Sequence, residues 1–157
     1  MRQVLFICSG NFYRSRFAEA VFNHHALRRD LPLRAFSRGL ATHLVQGEGE
    51  ISLYTRFALA ARGIPIHHTG SHPVQLARAD LERATRVIAV KEAEHRPLMR
   101  QLFPDWEDRV EYWAIHDLDA ATPDVSIPLL EQRVLAVLEE CITPATPAPA
   151  VPTSGRP

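Results

Sequence analysis

VLFICSGNFYRSRFAEAVF, residues 4–22, decides how the rest of the chain is read. An apolar run from Val4 to Ile7 ends on Cys8, and a Ser-Gly-Asn segment leads to Arg14. A short continuous apolar run bounded by Gly and Asn predicts a strand buried on both faces. Beyond it, Ala18, Val21, Phe22 and His25 recur at helical spacing and predict a helix over residues 14–29. Cys8 therefore stands where a buried strand turns through a tight loop into a helix.

That placement has chemical content. Cys8 and Arg14 form the pattern C-x5-R, with Ser15 directly after. The backbone N–H groups of Ser9, Gly10, Asn11, Phe12, Tyr13 and Arg14 can turn inward as an anion nest at the positive end of the helix. Arg14 adds a bidentate fork for two phosphate-type oxygens. The thiolate is the nucleophilic form of cysteine, and a helix N-terminus beside an arginine is the setting that favours it. Ser15 can donate to that sulfur. Gly10 gives the loop backbone freedom, and Asn11 tolerates φ > 0 and braces the turn. A nucleophile and an anion cradle in one turn point to phosphate monoester chemistry.

Outward from this loop, short apolar runs alternate with amphipathic stretches, the βαβα pattern of a parallel sheet covered by helices. Strands are predicted at residues 33–37, 86–90 and 110–115, and helices at 52–62, from 92 or 94 to 102, and 127–142. The helix at 92–102 carries His95, Leu98, Met99 and Leu102 in a stripe, and its Pro97 belongs in a first turn. The last helix carries Leu130, Val134, Val137, Leu138 and Cys141 on one face. Asp80 is read as the cap of a short helical turn before the third strand. Residues 38–50 hold three glycines and no clear period, a long loop of the kind that is often functional.

Phosphate ester cleavage needs a proton for the leaving oxygen, and the loop after the fourth strand opens on the same sheet edge as Cys8. Its sequence WAIHDLDAATPD offers Asp117, Asp119 and Asp124, the last placed to cap or precede the final helix.

The loop sequence resembles the signature of the low-molecular-weight protein tyrosine phosphatases and of the thioredoxin-coupled arsenate reductases built on the same fold. The likeness continues through FSRGL (36–40), ALAARGI (58–64), RVIAVKEAEHRPLMRQLFP (86–104) and EYWAIHDLD (111–119), over about residues 2–142. It implies Cys8 as nucleophile, Arg14 as phosphate clamp and Asp117 as general acid and base, with Ser15 and Asn11 supporting. Leu118 stands where the family carries proline, which leaves Asp119 as a competitor for the acid role. Tyr13 stands where many members have a second cysteine, and the tyrosine pair that often follows the acidic dipeptide is absent. The fold implies pocket walls from Phe12 and Tyr13, from residues 40–50, and from Trp113 or His116.

Composition sets the frame. With 157 residues, 46% of them hydrophobic and 23% charged, the chain reads as one globular domain. Acidic and basic residues balance at 18 each, which argues against a nucleic-acid or membrane surface. No stretch approaches the ~20 apolar residues of a membrane span, and no signal peptide is evident. Two distant cysteines make no disulfide framework, so a cytoplasmic setting with a free Cys8 is expected. His67, His68 and His72 match no zinc spacing, and His25 and His95 are read as core. Residues 81–100 read as a solvated helix exterior.

The reading is an α/β domain, residues 1–142, with a four-stranded parallel sheet in order 2-1-3-4 flanked by helices. A disordered Pro/Ala/Thr-rich tail follows over residues 143–157. The expected activity is a phosphocysteine-dependent phosphatase that needs no metal or organic cofactor. Its substrate is a phosphorylated protein or a small aryl phosphate, and the protein is a monomer or weak dimer. Two alternatives stand beside it: an arsenate reductase or small-metabolite phosphatase on the same loop, or a catalytically weak phosphate-binding regulatory module. A reductase depends on Cys141, the one other cysteine.

Overall fold

β1 (Arg2–Cys8) is the centre of the molecule, and its alternating side chains divide the core in two. Val4, Phe6 and Cys8 face one layer; Leu5 and Ile7 face the other. The computed structural model describes residues 1–143, so the assigned tail lies outside the described residues apart from Thr143.

The sheet is parallel throughout, in the order β2-β1-β3-β4, as the alternation of elements predicts. β2 (Leu33–Gly39) pairs along the whole of β1 and sets Gly39 opposite Cys8. β3 (Arg86–Ala89) lies on the other side, with Ile88 opposite Phe6. α1 (Arg14–Arg28) and α5 (Pro123–Ile142) cover one face, where Phe6, Phe17, Phe22, Trp113, Leu130 and Val134 pack together. α2 (Leu53–Ala61) adjoins α1 and contributes Leu59 to the same core. α3 (Arg78–Arg83) and α4 (Glu92–Leu102) cover the other face with Leu81, Met99 and Trp106. This three-layer stack gives β1 the two apolar surfaces that its unbroken run requires.

Several boundaries differ from the sequence reading. α5 begins at Pro123, four residues early, because proline suits a first turn where its missing N–H costs nothing. Pro128 and Pro97 both lie within helices, past the first turn. Each removes a bond to an exposed residue four back, Asp124 and Ala93, whose carbonyl water can satisfy. The ladder of β4 is only Glu111–Tyr112, yet the chain continues alongside β3, with Trp113 N–H bonded to the Ala89 carbonyl and Ile115 N–H to that of Val90. Asp80 sits inside α3, and its carboxylate accepts from the Ala77 N–H; it is not itself the cap residue. His25 is half-buried, and Ala26 takes the core position beside it. The loop from 38 to 50 includes the end of β2 and a 3-10 turn, Thr42–Val45. Among the described residues no helix is long and apolar enough to cross a membrane.

Candidate active site

The loop between β1 and α1 is held from outside by its carbonyls. Cys8 O accepts from Leu40 N–H, Ser9 O from Ala41, Phe12 O from Ser52, and Tyr13 O from the Thr55 hydroxyl. The fully buried Arg16 spans the back of the loop. It donates to Thr69 Oγ1 at 2.6 Å, to Glu50 O at 2.9 Å, to Asn11 O, and to Gly70 O. With its carbonyls engaged on this outer side, the loop keeps a fixed curvature around Cys8.

Asn11 is the brace inside. It adopts φ 50, a left-handed conformation that asparagine tolerates better than most residues. Its amide donates to Ser15 Oγ and Ser37 Oγ, both at 2.9 Å, while its Oδ1 accepts from Val74 N–H. Ser15 Oγ lies 2.9 Å from Cys8 Sγ. The Ser15 hydroxyl thus accepts from the Asn11 amide and shares a hydrogen bond with the Cys8 sulfur.

Arg14 is 1% exposed, and both terminal nitrogens of its guanidinium are engaged. Nη2 donates to Glu94 Oε1 at 2.8 Å and to Asp117 Oδ2 at 3.0 Å. Nη1 donates to Glu94 Oε2 at 3.2 Å and to Ile115 O at 3.0 Å. The loop after β4 thus reaches the Cys8 loop through the arginine. Asp117 lies against Arg14, and Leu118 N–H also donates to its Oδ1. Asp119 stands on the rim of the same cavity, and Asp124 is exposed in the first turn of α5.

Glu94 and His95, passed over in sequence as helix exterior and core, belong to this site. His95 is fully buried, and its Nδ1 accepts from Lys91 N–H, so the ring proton sits on Nε2 and points to Ser9 Oγ at 3.1 Å. Ser9 in turn donates to Glu94 Oε1. Burial opposes ionisation of Glu94, but hydrogen bonds from His95, Arg14 and Ser9 and the charge on Arg14 outweigh it. The carboxyl is held well below the usual carboxylate range. Burial also pushes His95 down, with Arg14 adding to the effect and Glu94 opposing it, which keeps the ring neutral. Ser9 is therefore turned toward α4, away from the cavity. The available signal was position: Glu94 opens a helix after β3, on the sheet edge that carries the Cys8 loop.

A cavity of about 750 Å³ opens over Cys8 and Arg14. Gly10, Phe12, Tyr13, Val45, Ile51, Leu53, Tyr54 and Leu118 give it apolar walls, and Glu48, Asp117 and Asp119 give it an acidic side. Residues 51–54 at the start of α2 were not foreseen as walls. Trp113 and His116, expected here, line a separate groove with Lys91 and Arg133, and neither lines the cavity over Cys8. Cys141 lies at the opposite end of β1 from Cys8, where Arg2 bonds its carbonyl. His68 packs edge-on against His24 and tilted against His67, and among the described residues no group of three His, Cys, Asp or Glu side chains converges as a metal site.

This geometry has structural counterparts. A mutant of YwlE from Bacillus subtilis superposes with TM-score 0.74 at 20% identity, over 91% of this chain and 100% of that one. A low molecular weight protein tyrosine phosphatase from T. tengcongensis gives 0.70 at 22%, over 90% and 98%. The YwlE arginine phosphatase from Geobacillus stearothermophilus gives 0.69 at 23%, over 90% and 94%. At such identities the likeness is one of fold. No curated protein matches the chain in sequence. The sequence pattern of one family, however, matches residues 3–142, from β1 to the last residue of α5. On that match the chain belongs to the low molecular weight phosphotyrosine protein phosphatase family.

Proposed function

We propose that this protein hydrolyses phosphate monoesters, aryl esters such as phosphotyrosine foremost, through a phosphocysteine on Cys8. The observation that carries the reading is the convergence of Cys8 Sγ, Ser15 Oγ at 2.9 Å, and an Arg14 that also holds Asp117 at 3.0 Å. The Cys8 thiolate attacks phosphorus as the ester P–O bond breaks, and Asp117 gives its proton to the departing oxygen. Water then attacks the phosphocysteine, Asp117 takes a proton from that water, and the S–P bond breaks with Ser15 donating to the leaving sulfur. Backbone N–H groups of residues 9–14 and the Arg14 fork hold the phosphoryl oxygens as charge redistributes. The apolar walls at Phe12, Leu53, Tyr54 and Leu118 suit an aromatic ring entering above the phosphate.

A second reading follows from the acidic rim. Glu48 and Asp119 offer partners to a guanidinium, so phosphoarginine is the competing substrate class.

The test is hydrolysis of p-nitrophenyl phosphate between pH 5 and 8 without added metal, with Cys8→Ser, Asp117→Ala and Asp119→Ala alongside. Turnover that vanishes in Cys8→Ser and falls ~10²-fold or more in Asp117→Ala alone is expected. Retained turnover in Cys8→Ser overturns the mechanism, and a larger loss in Asp119→Ala moves the acid role there. Phosphotyrosine and phosphoarginine peptides compared by kcat/KM decide between the two substrate classes.

A further inference from the structure

Tyr13 precedes Arg14 in the loop and is 5% exposed, yet its hydroxyl is the one buried side-chain N or O without a hydrogen-bond partner among the described residues. Leaving such a group unpaired costs stability, and phenylalanine would fill the same space without that cost. The ring is well placed in other respects. It packs edge-on against Tyr54 with centroids 6.2 Å apart, and it lines the cavity together with Asp117 and Leu118. Burial, then the nearby charge of Asp117, pushes the phenol up to about 12, so it stays a proton donor over the whole working range. An unpaired donor in the wall of a reaction cavity is a group waiting for an acceptor that arrives with the reaction.

Asp117 supplies that acceptor. Its carboxylate is held on Arg14 at 3.0 Å, a position it has to leave if the guanidinium is to fork a phosphoryl group. We propose that the Tyr13 hydroxyl is the second station of Asp117: once substrate occupies Arg14, Tyr13 donates to one carboxyl oxygen of Asp117 and aims the other at the leaving-group oxygen. Tyr13 is a positioning residue, since it acts through Asp117 and does not touch the reacting atoms. In the first half-reaction its hydrogen bond falls on the carbonyl oxygen of the protonated acid, and in the second on the carboxylate that takes the proton from water. This rests on Asp117 being the acid.

Tyr13→Phe tests it, because only the hydroxyl is removed. The expected result is a kcat about tenfold lower on phenyl phosphate, whose leaving group needs protonation, and a smaller loss on p-nitrophenyl phosphate, with KM little changed. The thermal midpoint should be equal to or above that of the wild type, as the unpaired group is gone. In an Asp117→Ala background the same change should have no further effect on kcat. Equal losses on both esters, full additivity with Asp117→Ala, or a lower thermal midpoint each overturn the proposal. A crystal structure of the wild-type protein with vanadate reads it independently of turnover. Tyr13 Oη within hydrogen-bond distance of Asp117 supports the proposal, and Oη still unpaired overturns it. An Asp117→Ala variant with wild-type rates on both esters removes the acid assignment and, with it, the reason for the second station.

Discussion

Arg14 and Glu94 stand 80 positions apart in the chain and meet through two hydrogen bonds, Nη2 to Oε1 at 2.8 Å and Nη1 to Oε2 at 3.2 Å. The end-on grip leaves the guanidinium plane set by α4, while the residue itself belongs to the loop of Cys8. Ser9 and His95 secure the carboxylate from its other side. The Arg14 guanidinium is therefore positioned by an element that the loop sequence does not contain.

Replacing Glu94 by Gln should lower kcat/KM for aryl phosphates about tenfold. It should also reduce stability by about 2 kcal/mol, since a hydrogen bond to a buried guanidinium loses its charged acceptor. Steady-state kinetics and denaturant unfolding check this. An unchanged kcat/KM means that Ile115 and Asp117 alone hold Arg14 in place.

Gly39 lies opposite Cys8 in the β1–β2 ladder, and a Cβ there would stand 2.7 Å from Ser9 O and 2.9 Å from Asn11 N. Both neighbours are loop backbone, which cannot yield without moving the loop around Cys8. Gly39→Ala is expected to cost about 2 kcal/mol and to weaken inorganic phosphate binding along with turnover, as read by calorimetry and thermal unfolding.

Asn11 combines the left-handed backbone with three side-chain hydrogen bonds. Asn11→Ala loses both and should cost about 3 kcal/mol, of which ~1 reflects the backbone conformation. Asn11→Gly keeps the conformation accessible, so it should be the more stable of the two variants while remaining equally impaired in catalysis. Equal stability of the two variants would show that the side-chain bonds alone matter.

His95 is held neutral in the fold, chiefly by burial, so its folded pKa lies below its unfolded value of ~6.5. A group depressed in this way contributes stability above the unfolded pKa and loses it as pH falls toward the folded one. The thermal midpoint should therefore drop between pH 7.5 and 5. His95→Gln should be less stable at pH 7.5 but flatter over that interval. His24 and His68 are also shifted down and act in the same sense, so the difference between wild type and variant isolates His95. Glu94 adds a further loss below ~4.5, where the unfolded carboxyl takes up its proton first.

Much of this was legible in the residues. The run from Val4 to Ile7, the turn residues after Cys8 and the helical spacing of Ala18, Val21 and Phe22 are local signals, and each is read within a few neighbours. Cys8, Arg14 and Ser15 could be picked out because they share one loop. The ends of α5 and the places of Pro97 and Pro128 were harder to read. Helix termini depend on packing and on solvent access to freed carbonyls, which a periodic pattern does not carry.

The amino-acid order by itself determined a parallel sheet with a tight Cys8-to-Arg14 loop after its first strand, because apolar periodicity and turn chemistry are properties of adjacent residues. Only the tertiary structure decided that Glu94 and His95 serve that loop, that Trp113 and His116 line a separate groove, and that Tyr13, in a cavity wall shared with Asp117, is left with an unpaired hydroxyl. Charges and hydroxyls look alike in a sequence wherever they fall. Their partners are chosen by which strand ends share an edge of the sheet, and that is settled when the layers close around β1.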